Sequence, residues 1–423
     1  MKRVNIHWFY PFWGSISIFI ISIVFFIVFD FYVLPIKFLK LGTETYEVVF
    51  VIQSFLSLLF IYGLSVRDIY LKRQKLFKFI KKNQLYITKS NKNGEETVIE
   101  TIEMEWIEKK NEDTFTVRVY NEGGLVSSRI EDLGPKLQAF LGKELVTQHN
   151  QITFTDYVFE KYPDKRLVMS NLVDNNTNNK YSIKLTQKIS YDIRKVSHGL
   201  TVGATGSGKT MFINAKILEF VNLGAEILIC DPKNADLSLL QFVEGFPKEN
   251  VAVNSNQICK ILRLLNSKML ERYNKYFSEP SAFGKNYSDF GLQPIVLFFD
   301  EVTAFVKVSD KKIVEEAFSY LFNIIMMGRQ VGVTVEFILQ RPDTSILDGG
   351  IRDQLGCRVA LGNLSKDGYK MIFGSNFNDY KNIQVIGGGY IQILGQMEKP
   401  KYFETPFFDK NFDFLKELEE YYS

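Results

Sequence analysis

Apolar residues are arranged along this chain in three different ways. From Phe9 to Phe29, and again from Val48 to Val66, no charged residue interrupts runs dominated by Ile, Phe and Val. Each run approaches the ~20 residues that an α-helix needs to cross a bilayer. Two transmembrane helices are therefore expected, over about 9–29 and 46–66. From about Gln84 to Gln148 polar and apolar positions alternate instead. Leu85-Tyr86-Ile87, Thr97-Val98-Ile99 and Thr114 to Tyr120 read as strands, Asn93-Gly94 and Glu122-Gly123-Gly124 as turns, and Leu133 to Leu141 as a short helix. Beyond residue 151 the pattern changes again, to short, mainly apolar runs that close on polar residues. These are His198 to Val202, Ala225 to Cys230, Ile295 to Phe299, Gly332 to Leu339, Cys357 to Leu361 and Gly389 to Leu394, with helical stretches between them such as Met211 to Asn222. Mainly apolar strands, of which Ile295 to Phe299 is unbroken, are what a parallel sheet covered on both faces requires. The predicted fold class is α/β, with a mainly parallel, doubly wound sheet. The predicted organisation is a membrane anchor over 1–82, a small α+β adaptor over 83–150 and a larger α/β domain over 151–423. The polar stretch 174–179 is read as a surface loop ahead of the core of that larger domain.

The flanks of the first two runs support a membrane anchor. Trp8, Tyr10, Trp13, Phe31 and Tyr32 bracket the first like an interfacial aromatic belt. A cleaved signal peptide is disfavoured, because Asp30-Phe31-Tyr32 follows with no small-residue cleavage site. Lys2 and Arg3 precede the first run, and Arg67, Lys72, Arg73, Lys75, Lys78, Lys81 and Lys82 follow the second. The connecting segment sets Lys37 and Lys40 against Glu44 and Glu47. Basic residues stay on the cytoplasmic side, so a cell-membrane protein with both termini and the motor domain in the cytoplasm is expected. The basic run suits contact with anionic lipid better than with DNA. Composition adds less: hydrophobic residues are 46% of 423, Phe occurs 37 times, and the net charge of +3 says little about nucleic acid. Three scattered cysteines and three scattered histidines give no disulfide framework and no spacing for a zinc site.

Chemistry enters at Gly203-Ala204-Thr205-Gly206-Ser207-Gly208-Lys209-Thr210, which fits G-x-x-x-x-G-K-[ST] between a strand and a helix. The glycines let backbone N–H groups wrap phosphates, aided by the helix N-terminus. Lys209 is placed to reach the β- and γ-phosphates of ATP, and the Thr210 hydroxyl to bind Mg2+. A chance glycine-rich turn is the bland alternative, and the strand–loop–helix setting argues against it. The second motif is Ile295-Val296-Leu297-Phe298-Phe299-Asp300-Glu301, an apolar strand closing on two acids. Asp300 falls where ligands bind in open α/β sheets and would hold the Mg2+ shell. Glu301 would orient and deprotonate the attacking water. Gln340, after a further strand, is placed to sense the γ-phosphate; its bland role is a polar strand-end cap. Together these features describe a RecA-like P-loop ATPase.

Gly203 to Thr210, Asp231-Pro232-Lys233-Asn234-Ala235-Asp236-Leu237, Phe299-Asp300-Glu301, Gly328-Arg329-Gln330-Val331-Gly332 and Gln340-Arg341-Pro342 occur in an order that resembles the FtsK/SpoIIIE family of DNA translocases. The likeness runs from about Ile152 to Gln396. A closer resemblance, carried by Asp231 to Leu237 and by Asp348-Gly349-Gly350-Ile351-Arg352-Asp353-Gln354 leading into Arg358-Val359-Ala360-Leu361-Gly362, is to FtsK-like coupling ATPases of Gram-positive conjugative transposons and plasmids. The resemblance implies a homo-hexamer around DNA with ATP at subunit interfaces, each site completed by a neighbour's arginine. Arg329, Arg352 and Arg358 are the candidates, each with a structural ion pair as its alternative. Lys307, Lys311 and Lys312 are candidates for a DNA-lined pore, with a solvated helix face as the blander reading.

The resemblance leads to one expected function, a membrane-anchored coupling protein for conjugative transfer that brings DNA and its relaxase to a membrane channel. A chromosome-partitioning translocase and a protein-secretion ATPase are the alternatives. The first would carry a sequence-reading C-terminal domain, which is not seen, and the second usually has several motor domains in tandem. A non-catalytic scaffold is disfavoured by the intact Lys209, Thr210, Asp300 and Glu301.

Overall fold

The computed structural model describes residues 3–4, 67–90, 95–109, 112–126, 128, 130, 132–169, 180–342, 349–375, 380–409 and 412–423. The two expected transmembrane spans and the loop over 174–179 lie outside the described residues. Among the described residues no helix is long and apolar enough to cross a membrane. The chain divides into two compact units, Met1–Pro163 and Asp164–Ser423.

In the first unit, strands β1 (Tyr86–Ser90) and β2 (Glu96–Thr101) form a hairpin. Strands β3 (Met104–Glu108), β4 (Thr114–Tyr120), β5 (Leu145–Asn150) and β6 (Phe154–Glu160) form an antiparallel sheet in the order β3-β4-β6-β5. Alternation decides which face is buried: Phe115, Val117 and Val119 of β4 point inward, and Trp106 stacks on Phe115 at 4.2 Å. The helix Leu133–Leu141 forms over the span its apolar pattern predicts. Two expectations change. The helix over 67–82 is no part of a separate anchor, because it gives Leu76, Phe79 and Ile80 to this core. The boundary also lies beyond residue 150, because β6 pairs with both β4 and β5 and buries Tyr157 and Phe159.

The second unit holds strands β7 (Val168–Met169), β8 (Ser182–Lys184), β9 (Ser190–Asp192), β10 (His198–Gly203), β11 (Glu226–Cys230), β12 (Val251–Ala252), β13 (Ile295–Asp300), β14 (Val333–Leu339), β15 (Leu355–Leu361), β16 (Gly388–Ile393), β17 (Lys401–Glu404) and β18 (Phe407–Phe408). Eight of them form one mixed sheet in the order β12-β11-β13-β14-β10-β15-β16-β17. The first six run parallel, and β16 and β17 are antiparallel additions. Gly389 to Leu394 is thus a strand as expected, but it runs against its neighbour. Strands β17 and β18 and the helix Phe414–Tyr422 follow it.

Both faces of this sheet are covered. Ile295, Leu297 and Phe299 of β13 join the core formed with helices Ser255–Tyr276 and Lys311–Val331, while Val296 and Phe298 join the core formed with helix Lys209–Asn222. A period-2 strand between two helical layers must be apolar at most positions, which is why Ile295 to Phe299 is unbroken. One polar pair interrupts the second core. Lys216 of helix Lys209–Asn222, wholly buried, meets Glu336 of β14 at 2.6 Å. Gly199 lies beside Glu336 in register, and any side chain there would collide with the carboxylate. Burial pushes the Glu336 carboxyl up, and the Lys216 charge opposes that.

The pair fixes the helix against β14, and removing one partner strands a buried charge. Lys216→Met should cost roughly 3 kcal/mol, and adding Glu336→Leu should recover most of it. Urea unfolding of the single and double variants reads this directly. Equal losses in both would contradict the coupling.

Candidate active site

The C-terminal ends of β10, β11, β13, β14 and β15 share one edge of the sheet, where ligands bind in open α/β folds. Strand β10 is buried at all six positions and releases the phosphate loop from the middle of that edge. The loop closes at Gly208, whose φ of 93° is open to glycine. A methyl group on Gly208 would stand 2.8 Å from the backbone of Gly387. The helix that follows, Lys209–Asn222, has no side-chain cap, so its first N–H groups are free to face an anion. The Ser207 Oγ is buried and bonds to nothing among the described residues.

The acids sit two strands away. Glu301 occupies a left-handed conformation, φ 49°, at the end of β13, and its N–H donates to Ile338 O at 2.7 Å. A non-glycine residue in that region stores strain. Glu301 as a whole is 6% exposed. Oε2 accepts the Gln340 N–H at 3.2 Å and faces Lys233 Nζ at 3.3 Å, while Oε1 accepts from the Thr303 hydroxyl. Asp300 is different. Its Oδ1 is buried without a partner among the described residues, and its carboxyl is pushed up to about 6. Burial is the main cause; Asp231 and Glu301 push the same way, and Lys209 and Lys233 oppose them.

The loop after β11 joins the two halves. Buried Asp231 accepts N–H bonds from Lys233 at 3.1 Å, Ala235 at 2.7 Å and Ser238 at 3.1 Å. That fold of the loop carries Lys233 to Glu301 and places Asp236 Oδ2 3.4 Å from the Thr210 hydroxyl. In the string Asp231 to Leu237, one acid therefore shapes the loop, the lysine meets the strand-end acid, and the second acid meets the threonine of the phosphate loop.

Gly203 to Thr210, Asp300, Glu301 and Gln340 are thus brought to one edge. Gln340 touches Glu301 through its backbone N–H. The three arginines are not there. Arg329, exposed in the last turn of Lys311–Val331, acts electrostatically on His198 at the opposite end of β10; that buried ring is pushed down to about 4, chiefly by burial. Arg352 is half-buried on the short helix Gly349–Gln354, just before β15 starts at that same far edge. Arg358 is engaged within its own chain. Its guanidinium is buried and donates to the carbonyls of Leu355 at 2.9 Å, Ile372 at 3.4 Å and Arg352 at 2.6 Å. Lys307, Lys311 and Lys312 are exposed, and Lys311 lies 3.7 Å from Glu315.

Sequence reading missed what backs the phosphate loop from behind. Gly387 N donates to Ser207 O at 2.9 Å, and a side chain on Gly362 would touch Ser207 Cβ at 3.2 Å. The run Gly387-Gly388-Gly389 is the signal that was available, since consecutive glycines mark close backbone approach.

The geometry suits a nucleoside triphosphate. Lys209 and the open N–H groups would hold the phosphates, and Glu301 would take a proton from water. The unpaired buried Asp300 oxygen and the Thr210 hydroxyl fit a hard, oxygen-liganded cation, so these two would hold the Mg2+ that neutralises phosphate charge. A phosphate loop, a strand-end acid pair and a polar strand end beside them, on one edge of a mixed α/β sheet, define an ATP-hydrolysing motor of the P-loop class.

Residues 181–282 match the FtsK/SpoIIIE family. The FtsK domain-containing protein YdcQ of Bacillus subtilis (strain 168) is 33% identical over 359 residues, which is 82% of this chain and 72% of that protein. The DNA translocase FtsK of Caldanaerobacter subterraneus subsp. tengcongensis is 25% identical over 180 residues, 40% of this chain and 24% of its own length. In fold, the chain is similar to the pCW3 conjugation coupling protein TcpA, solved with an ATP analogue, at TM-score 0.50 and 17% identity over 76% of this chain and 94% of that one. The chain belongs to the FtsK/SpoIIIE family and is an FtsK-type translocase ATPase.

Lys233 should hold Glu301 in position without touching substrate. Lys233→Ala should lower kcat for ATP about tenfold, the order expected from loosened positioning, with KM little changed. Unchanged kcat in steady-state turnover would show the contact to be incidental.

Proposed function

We propose that this chain is a membrane-anchored, ATP-driven DNA translocase that works as a coupling ATPase in conjugative transfer. It would assemble as a homo-hexamer, use Mg-ATP, and deliver DNA with its relaxase to a membrane channel. The observation that carries the reading is one complete hydrolytic set, Lys209, Thr210, Asp300 and Glu301, on a motor fold that matches nearly the whole of a conjugation coupling protein. The two uncharged runs ending at Val66 support the anchor, with both termini and the motor in the cytoplasm. DNA as the moved polymer rests on family membership and on the named relatives.

The test is the ATPase rate of the full-length protein in lipid nanodiscs, with no DNA, single-stranded DNA or duplex, beside Lys209→Ala. One DNA form should raise turnover several-fold, and Lys209→Ala should abolish it. Turnover that ignores both forms would remove DNA as the substrate and favour a protein substrate.

A further inference from the structure

Strand β3 lies at one edge of the antiparallel sheet of the first unit, and its outer side is covered. Val4, ahead of the first apolar run, pairs with Met104 in antiparallel fashion. Val4 N donates to Met104 O at 2.7 Å, and Met104 N donates to Val4 O at 2.8 Å. The Val4 side chain is wholly buried and joins the core that holds Met104 and, from the helix over 67–82, Leu76, Phe79 and Ile80. Neighbouring residues of an extended chain point to opposite faces, and Arg3 lies on the outer one. Its guanidinium sits 3.8 Å from the centre of the Tyr120 ring and donates to Glu103 Oε2 at 3.1 Å. Covering a sheet edge is a general protection against stray pairing. Here the cover is drawn from the far side of both apolar runs.

Distance along the chain makes this placement informative. Phe9, where the first apolar run starts, is five residues beyond Val4, and five residues of extended chain span at most about 18 Å. Val66, where the second run stops, is directly followed by the helix over 67–82, along which Leu76 lies about 15 Å away. Both ends of the stretch 5–66 are therefore held by one folded core. A chain that leaves a rigid body and returns to it crosses any bilayer beside that body an even number of times. This constraint is geometric and does not depend on where the lysines and arginines fall. A unit held at two points also cannot swivel as one hung from a single flexible linker does.

We infer that Arg3 and Val4 form a latch on the edge of β3, which closes the stretch 5–66 into a loop held at both ends by the first unit. Resting on the membrane anchor of the proposed function, this gives the stretch an even number of bilayer crossings and tethers the unit to the membrane at two points. Val4 is the plug and Arg3 the outer clasp. The chemistry of both fits the site: an aliphatic side chain fills an apolar pocket, and a cation meets a carboxylate and an aromatic face.

The three native cysteines are buried, so introduced thiols can be followed in the full-length protein in membranes. Val4→Cys together with Met104→Cys should form a disulfide under mild oxidant, seen as a linked peptide by mass spectrometry, because the two residues already face each other across one bridge. Val4→Cys alone should react with membrane-permeant N-ethylmaleimide at least about a hundredfold more slowly than Ile152→Cys, whose position is 93% exposed, since labelling waits for local opening. Adding Arg3→Glu should speed labelling of Val4→Cys a few-fold, the scale of one partly exposed ion pair, and Glu103→Arg in the same chain should restore the slow rate. A Val4→Cys protein that labels as fast as Ile152→Cys, and that gives no disulfide with Met104→Cys, would overturn the latch and leave the anchor intact. A 4–104 disulfide in protein that sodium carbonate strips from membranes would remove the anchor, and with it the two-point tether.

Discussion

Strand β10 has no exposed residue and is hydrogen-bonded along both edges, to β14 and to β15. The phosphate loop is the continuation of that strand, so its start cannot move without opening the centre of the sheet. Its far end is fixed separately, by the helix whose Lys216 is tied to Glu336 on β14. The same β14 ends at Gln340, whose N–H meets Glu301. A single buried frame thus sets the distance between the loop that holds phosphate and the carboxylate that meets water. Preorganisation of this kind is what makes charged groups effective at the moment charge develops.

The frame concentrates charge at a cost. Asp231, Asp300 and Glu301 crowd one edge with Lys209 and Lys233 in opposition, and the Asp300 carboxyl, already buried, is pushed up to about 6. Asp231 resolves its own charge by accepting three backbone N–H groups. Glu301 resolves its charge through Lys233, Thr303 and Gln340. Of the three acids, Asp300 keeps an unmatched buried oxygen among the described residues. A group left in that condition is a good ligand for a cation that arrives with the substrate.

Local spacing is what makes a feature legible in this chain. The phosphate loop is eight consecutive residues, and the strand-end acids follow five apolar ones, so the amino-acid pattern alone places both. The apolar runs mark β10, β11, β13, β14 and β15, because a strand between two helical layers is apolar at most of its positions. The direction of β16 is not legible, since an apolar run carries no sign of its neighbour's polarity. Strand β5, mostly polar, has no pattern to find. Nor does the pattern show that Arg358 spends its guanidinium on three carbonyls, although an arginine inside the apolar stretch Leu355–Leu361 is a hint of burial. Arg166 donates to the carbonyls of Ile386 and Thr405, beside the Gly387 that backs the phosphate loop; these positions are more than two hundred residues apart, and only folding brings them together.

Glu301 would act on water while the rest of the edge held the nucleotide, and the mechanism turns on that division. Glu301→Gln keeps the size and one acceptor oxygen but removes the base, so it separates the two roles. The measurement is single-turnover hydrolysis of radiolabelled ATP by the full-length variant, alongside its equilibrium affinity for ATP. Affinity should stay close to wild type, and the hydrolysis step should slow at least about a hundredfold, the lower end of what a general base contributes. A Glu301→Gln protein that binds ATP normally and hydrolyses it at the wild-type rate would contradict the assignment and return the search for the base to the other groups of this edge.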